Sequence, residues 1–285
     1  PIEEITVTHF DHARLNRFLA ELLLEDEKDT FELSEYILKK SQGNPFFSIE
    51  IARQLVEEKA LVYREEEKHW QLDWGRLNHA SISASIVDIV LRRIDALDRD
   101  QLLLLSYAAV IGREFTLNLL FPLTRLPFDT IIALVDEAIA MQLLEKSLER
   151  GKLIFVHDRI RDAFYSRIHQ DKLSQFHLEV ARAIEELHKD DLESVLFDLA
   201  HHYSQGQDKD KSLKYAFPAA AKAKQDYANE EAVKYYSLSL SLLEQKGQKD
   251  TSPWVDIKDG LSDVYLTVGR NDEAIALCQE ILPLK

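Results

Sequence analysis

The chain has 285 residues, 46% hydrophobic and 30% charged, with a formal net charge of −15. That balance describes a folded, globular chain of two or three domains, and it excludes an intrinsically disordered one. No long stretch of it is basic, so binding driven by phosphate neutralisation is disfavoured and no nucleic-acid partner is expected.

Only 8 glycines and 7 prolines occur, which favours long helices joined by short loops. A single cysteine excludes an internal disulfide and a cysteine-based zinc site, and fits a reducing compartment. The apolar run Leu102–Ile111 is too short for a bilayer, and the N-terminus lacks a basic leader region. No membrane partner is expected, and the expected location is cytoplasmic. The absence of a starting Met and the ending Leu-Pro-Leu-Lys suggest a piece of a larger protein.

In chain order, Phe10, Leu15, Phe18, Leu19 and Leu22 recur at helical spacing. Asp29-Thr30 is a cap for a second helix, which Gly43 ends. A third helix starts at Pro45. Trp70, Leu72 and Trp74 then alternate as in a strand, and with Ala60–Glu65 they predict a hairpin whose tip is Glu65–Lys68. Residues 83–97 form an amphipathic helical pattern, and Arg99–Gly112 is apolar nearly all round, as in a buried helix. Short helical patterns follow at 116–123 and 128–140. Two strand-like runs, 143–149 and 152–157, flank Arg150-Gly151. Helices followed by a two-stranded hairpin are the order of a winged helix. Two more helices follow, near 159–168 and 173–187.

From about Leu192 the pattern is helical throughout. Leu261, Tyr265, Gly269 and Ala274 fall at the offsets of a tetratricopeptide repeat, and Leu199, Tyr203 and Ala232–Tyr236 partly echo them. Pro218 inside a helical pattern predicts a kink or break. Cys278 takes a small-residue position and is expected in the core.

No phosphate-binding G-x-x-x-x-G-K-[ST] loop, G-x-G-x-x-G, H-E-x-x-H or G-x-S-x-G motif occurs. No catalytic residue and no metal site are expected. His9, Asp11 and His12 read as a solvated helix start. His201 and His202 diverge by about 100° on a helix and do not readily share a metal, so one packs and one is solvated. His157 follows the apolar strand Leu153–Val156 and precedes a helix that Asp158 is placed to cap. It either closes that corner by a hydrogen bond or faces an anion where helix N–H groups and arginines converge. Gly43, Asn44 and Pro45 make a corner in which each residue has a local reason: a left-handed glycine, a cap, and a proline at the first helical position.

The runs "KKSQGNPFFSIEIARQLVEEKAL", "SISASIVDIVLRRIDALDRDQLLLLSYAAVIGREFTLNLL", "LIFVHDRIRDAFYSRI" and "LAHHYSQGQDKDKSLKYAFPAAAKAKQDYANEEAVKYYSLSLSLL" resemble, in colinear order over about residues 5–245, the STAND-class (AAA-like) signalling ATPases. The nearest likeness is to the large bacterial ones fused to serine/threonine kinase, sensor histidine kinase, cyclase or transcription-activator domains. The resemblance implies a mainly α fold. A helical lid with a hairpin spans 1–80, a winged-helix domain with a small β-hairpin and following helices spans 81–190, and a tetratricopeptide-like helical array spans 191–285. It implies that the P-loop core lies upstream, so this chain is no enzyme although its parent is an ATPase. Gly43, Asn44 and Pro45 would lie against the adenine of ATP or ADP held with Mg in the parent. His157, in Val156-His157-Asp158 where the family has Met-His-Asp, would contact the ADP β-phosphate. Partners would be that core and a protein or small ligand on the repeats, and neither nucleotide would bind this chain tightly alone. The alternatives are a DNA-binding winged-helix regulator and a helical scaffold with no nucleotide role.

Overall fold

The computed structural model describes residues 9–79, 94, 95 and 97–284. The expected helix over 83–97 and the boundary at 80/81 lie outside the described residues, apart from positions 94, 95 and 97. Among the described residues the protein is mainly α-helical with two small antiparallel sheets, and it divides into two compact units, Pro1–Ala96 and Leu97–Lys285.

In the first unit, α1 (His12–Leu23), α2 (Phe31–Ser41) and α3 (Pro45–Glu57) precede a hairpin of β1 (Leu61–Arg64) and β2 (His69–Leu72) and a short α4 (Trp74–His79). The core joins Leu15 and Leu19 of α1, Leu33 and Ile37 of α2, Ile51 and Leu55 of α3, and Leu61 of the hairpin. The backbone N–H of Trp70 donates to Glu25 at 2.7 Å, which ties the hairpin to the segment after α1. Two expectations are corrected, those for Trp74 and Thr30. Trp74 begins a helix instead of extending the strand. Leu22 is half exposed, because α1 turns Leu15, Asn16, Leu19 and Ala20 inward. Asn16 can be buried because Thr30 donates its hydroxyl to the Asn16 side chain at 2.8 Å. Thr30 therefore occupies the cap position of α2 without capping it.

The second unit begins with α5 (Arg99–Ile111), β3 (Glu114–Thr116), α6 (Leu117–Thr124), α7 (Phe128–Ala140), β4 (Leu144–Lys146) and β5 (Lys152–Phe155). The capping box of Asp98 and Gln101 starts α5. The hairpin β4–β5 is as expected, but β3 joins it to make a three-stranded sheet of order β3-β5-β4. Three residues after a buried helix are too short a run to show a strand period, so sequence alone does not reveal β3. Phe115, Phe155 and Phe164 then pack in a row beneath the sheet. Next come α8 (Asp158–Arg167) and α9 (Gln170–Leu187).

The remainder is a chain of antiparallel neighbours: α10 (Leu196–Gln205), α11 (Lys209–Gln225), α12 (Asn229–Gln245), α13 (Ser252–Thr267) and α14 (Asn271–Ile281), each packed on the next, with α9 packed on α10. The helices on both sides of the expected 190/191 boundary thus belong to one compact unit. Leu199, Tyr203, Ala232, Tyr236, Leu261 and Ala274 are all buried at these contacts, and Gly269 has φ +77° in the turn before α14. Gly260 lets two helices touch, since a Cβ there would sit 2.5 Å from the Tyr236 hydroxyl oxygen. Pro218 does not break α11, which runs unbroken from Lys209 to Gln225. Fully buried Ala216, Ala219, Ala220 and Ala223 around it bind the helix to its neighbours and outweigh the missing N–H. Cys278 is exposed and not in the core. Its face of α14, with Ile275, has no covering element among the described residues.

No single described helix is long and apolar enough to cross a membrane, although the bent pair α6–α7 passes that test jointly by length and composition.

Glu185 of α9 is the most heavily bonded side chain in this unit. It accepts from Lys211 Nζ at 2.6 and 2.8 Å and from the hydroxyls of Tyr203 and Tyr215, which stack on each other at 5.6 Å. Burial would raise its pKa, but those donors together pull it down to about 2. Glu185→Ala should lower unfolding free energy by about 2–4 kcal/mol in urea denaturation, because two hydroxyls and an ammonium lose their acceptor. A loss under about 1 kcal/mol would show that the network is not what joins α9, α10 and α11.

Candidate functional site

The first candidate corner closes in four steps. Helix α2 ends at Ser41, Gln42 turns left-handed (φ 52°), and Gly43 follows at φ +76°. Asn44 then caps α3, accepting from the Phe47 N–H at 3.3 Å, and Pro45 takes the first helical position. The corner is clamped from outside by the Phe10 N–H, which donates to the Gly43 carbonyl at 2.7 Å. The approach is so close that a Cβ on Gly43 would lie 2.1 Å from the Phe10 carbonyl oxygen. Glycine is thus required by both φ and space. Ser48 and Ser41 share a hydrogen bond of 3.0 Å beneath the corner. The Pro45 ring is exposed, whereas Phe46 and Phe47 are half-buried and meet edge to face at 5.7 Å. Among the described residues of this unit, one groove runs between α2 and the hairpin past Thr30, Trp70 and Trp74, another between the end of α3 and the hairpin past Val56, Tyr63 and Arg76, and none of residues 43–45 lines either.

The second corner belongs to the other unit. β5 ends at Phe155, and His157, in extended backbone (φ −150°), caps α8: its Nδ1 accepts from the Arg159 N–H at 3.1 Å. Asp158 was the expected cap. It is instead the first helical residue and pairs with Arg113 at 3.6 Å. Its side chain is displaced from capping because the extended turn falls one residue earlier. Since Nδ1 accepts, His157 carries its proton on Nε2 when neutral. Arg161 turns to Asp162 at 2.8 Å. The four expected site residues therefore sit at two corners, Gly43, Asn44 and Pro45 in one compact unit and His157 in the other.

A third cluster was not expected. His202 is buried and His201 exposed, as the helical divergence implies, yet His177 of α9 lies against both. His177 Nδ1 is 2.9 Å from His202 Nδ1, and its Nε2 is 2.9 Å from the Tyr165 hydroxyl. His202 also bonds the Ile111 carbonyl, which can only accept. One proton arrangement satisfies all of these: His202 donates from Nε2, His177 donates from Nδ1 to His202, and Tyr165 donates to His177. His177 sits in an ordinary amphipathic stretch, so nothing local marks it. His12, by contrast, simply bonds Ser34 at 3.0 Å, and Asp11 caps α1.

No family model matches the chain. It is similar to a hybrid signal transduction histidine kinase, G, of Dictyostelium discoideum, at 21% identity over 97% of this chain, and it spans about a tenth of that protein's length.

Two outcomes follow from this geometry. Gly43→Ala should cost about 2–4 kcal/mol of stability, since it must break the Phe10 clamp, whereas Gln42→Gly should change it by less than about 1 kcal/mol; urea unfolding of both variants checks this. Acid should also destabilise the second unit. Burial, aided by the charge of His201, lowers His177 to about 4, and burial with the charges of His201 and His177 lowers His202 to about 3. Unfolded imidazoles titrate near 6.5, so below that pH the unfolded chain binds more protons than the folded one. Unfolding free energy should fall from about pH 6.5 towards pH 4, by up to about 1.4 kcal/mol per unit for each histidine, and be flat above pH 7. Unfolding curves at about pH 7.5 and pH 5 that coincide would contradict it.

Proposed function

We propose that the chain is the lid, winged-helix and repeat portion of a nucleotide-switched STAND ATPase that serves signal transduction. The observation that carries this reading is the second corner: helix, strand, two helices and a hairpin lead directly into a helix capped by His157. The order α5, β3, α6, α7, β4, β5 is compatible with a winged helix, and the antiparallel helices after it with a tetratricopeptide-like array. The likeness to a signal transduction histidine kinase supports a general signalling role, and it comes from a multidomain protein of which this chain covers a small part.

On this reading an upstream P-loop core holds ADP with Mg. Pro45 offers a flat, immobile ring to the adenine, since its φ is fixed and the Phe10 clamp anchors the residue before Asn44. His157 donates to the β-phosphate next to the N-terminus of α8, where helix N–H groups favour anions. Both contacts close the switch. Exchange for ATP, biased by a ligand on the repeats, opens it to the extent that the two arrangements differ in affinity. DNA binding is the weaker reading. The exposed face of α7 carries Asp129, Asp136 and Glu137 and no lysine or arginine, so it repels phosphate.

The test uses the full-length parent with its core. His157→Ala should speed ADP release by on the order of ten-fold or more, the loss of one charge-assisted hydrogen bond, and should raise basal output. Unchanged ADP release in both His157→Ala and Pro45→Ala would leave a helical scaffold without a nucleotide role as the better account.

A further inference from the structure

Among the described residues, His177, His201 and His202 are the one place where three metal-ligating side chains converge, with one ligand atom of each lying within 4.8 Å of the others. The ring centroids are 5.1 Å (His177–His202), 5.1 Å (His201–His202) and 5.7 Å (His177–His201) apart. Three imidazoles on a tetrahedral ion at about 2.0–2.1 Å place their nitrogens about 3.3 Å apart and their ring centroids about 5 Å apart. The rings already stand at that spacing. We infer that His177, His201 and His202 form a binding site for one divalent transition-metal ion, Zn²⁺ by ligand preference, with a fourth coordination position open to solvent. This site is separate from the nucleotide reading, and it departs from the expectation that His201 and His202 do not readily share one ion.

The change needed is small. His177 Nδ1 and His202 Nδ1 face each other nearly head on at 2.9 Å, with ring centroids 5.1 Å apart, and both rings must tilt by roughly 35°, which parts the nitrogens by about 0.4 Å and turns their lone pairs to one ion. His201 must close by at most about 1.5 Å, which an exposed side chain achieves by rotating about its χ angles. The protons balance without release. His177 moves its proton from Nδ1 to Nε2, and the ion takes the place of the hydrogen bond between the rings. The outer partners are then those that orient metal-bound imidazoles: Tyr165 accepts from His177 Nε2–H, and the Ile111 carbonyl accepts from His202 Nε2–H. Asp198, one turn before His201, adds a negative charge near it, and Lys234 adds an opposing positive one. Burial keeps the two inner rings in the neutral, ligating form at neutral pH. The chemistry that selects the ion is the donor set. Neutral imidazoles suit Zn²⁺, Co²⁺, Ni²⁺ and Cu²⁺ and not Mg²⁺ or Ca²⁺.

The experiment takes the full chain stripped of metal with a chelator, then titrates Co²⁺ by visible absorption and Zn²⁺ by competition with a chromophoric chelator. One equivalent of Co²⁺ should give the intense visible bands of a four-coordinate site, and Zn²⁺ should displace it. His201 is exposed, so His201→Ala and His201→Gln test the site without emptying the core. Each should weaken Zn²⁺ binding at least about ten-fold and abolish the rise in Tm that Zn²⁺ gives the parent chain. His169→Ala, at an exposed histidine paired with Asp171, should leave both readouts unchanged. Absence of the Co²⁺ bands at one equivalent, or a loss of less than about ten-fold in both His201 variants, overturns the site.

Discussion

The polar groups that α9 buries are answered by other elements, and the second unit is assembled around that constraint. Phe176 stacks on Tyr107 of α5 at 4.4 Å, and Glu179 accepts from the Tyr107 hydroxyl. One residue on from Phe176, His177 reaches Tyr165 of α8 and His202 of α10. Two turns further, Glu185 accepts from Tyr203 of α10 and from Tyr215 and Lys211 of α11. A buried carboxylate or imidazole without partners costs several kcal/mol, so each of these groups fixes its neighbours in direction as well as in distance. Apolar packing alone would let antiparallel helices slide by a turn at little cost. The bonds to Glu185 and His177 give α9, α10 and α11 one register.

The two corners illustrate a different constraint. At Gly43 the backbone is committed by sterics, since neither the positive φ nor the 2.1 Å approach of Phe10 tolerates a side chain. At His157 it is committed by hydrogen bonding, since the imidazole replaces the usual short polar cap and spends Nδ1 on the Arg159 N–H. Both devices fix a side chain without large burial. A rigid corner of this kind loses little entropy when it is contacted.

Much of this was legible in the sequence, and the remainder was hidden for identifiable reasons. The helices and both hairpins follow from apolar periodicity, and the corner at Gly43–Pro45 from residue types with one local meaning each. Thr30 failed as a cap because Asn16, fourteen residues away, competes for its hydroxyl. Trp74 continued the alternation of the strand but starts a helix, since period 2 cannot be told from a helix start over three residues. Cys278 matched a packed repeat position, yet packing needs a neighbour that this part of the array does not present among the described residues. Pro218 carries a local cost that the sequence shows, and the tertiary contacts of four buried alanines exceed it. The histidine cluster was the least legible of all. His201 and His202 diverge at their Cβ atoms, but imidazoles are long enough to lean back over a third ring, and His177 comes from another helix.

That third ring also places the cluster within the architecture of the corner. Tyr165, the partner of His177, lies near the C-terminal end of α8, and His157 caps the N-terminus of the same helix. A ten-residue helix is about 15 Å long and nearly rigid. Any change in how His177 holds Tyr165 therefore bears on the orientation of α8 as a whole, His157 included. A proton on the cluster, or an ion within it, alters that hold: in one case the imidazole needs two acceptors, in the other it presents Nε2–H where it had a lone pair. Tyr165 must then reverse its hydroxyl, from donating to accepting. The helix that follows β5 is in this sense held at both ends by histidines, one at its cap and one against its last turn, and the second is buried.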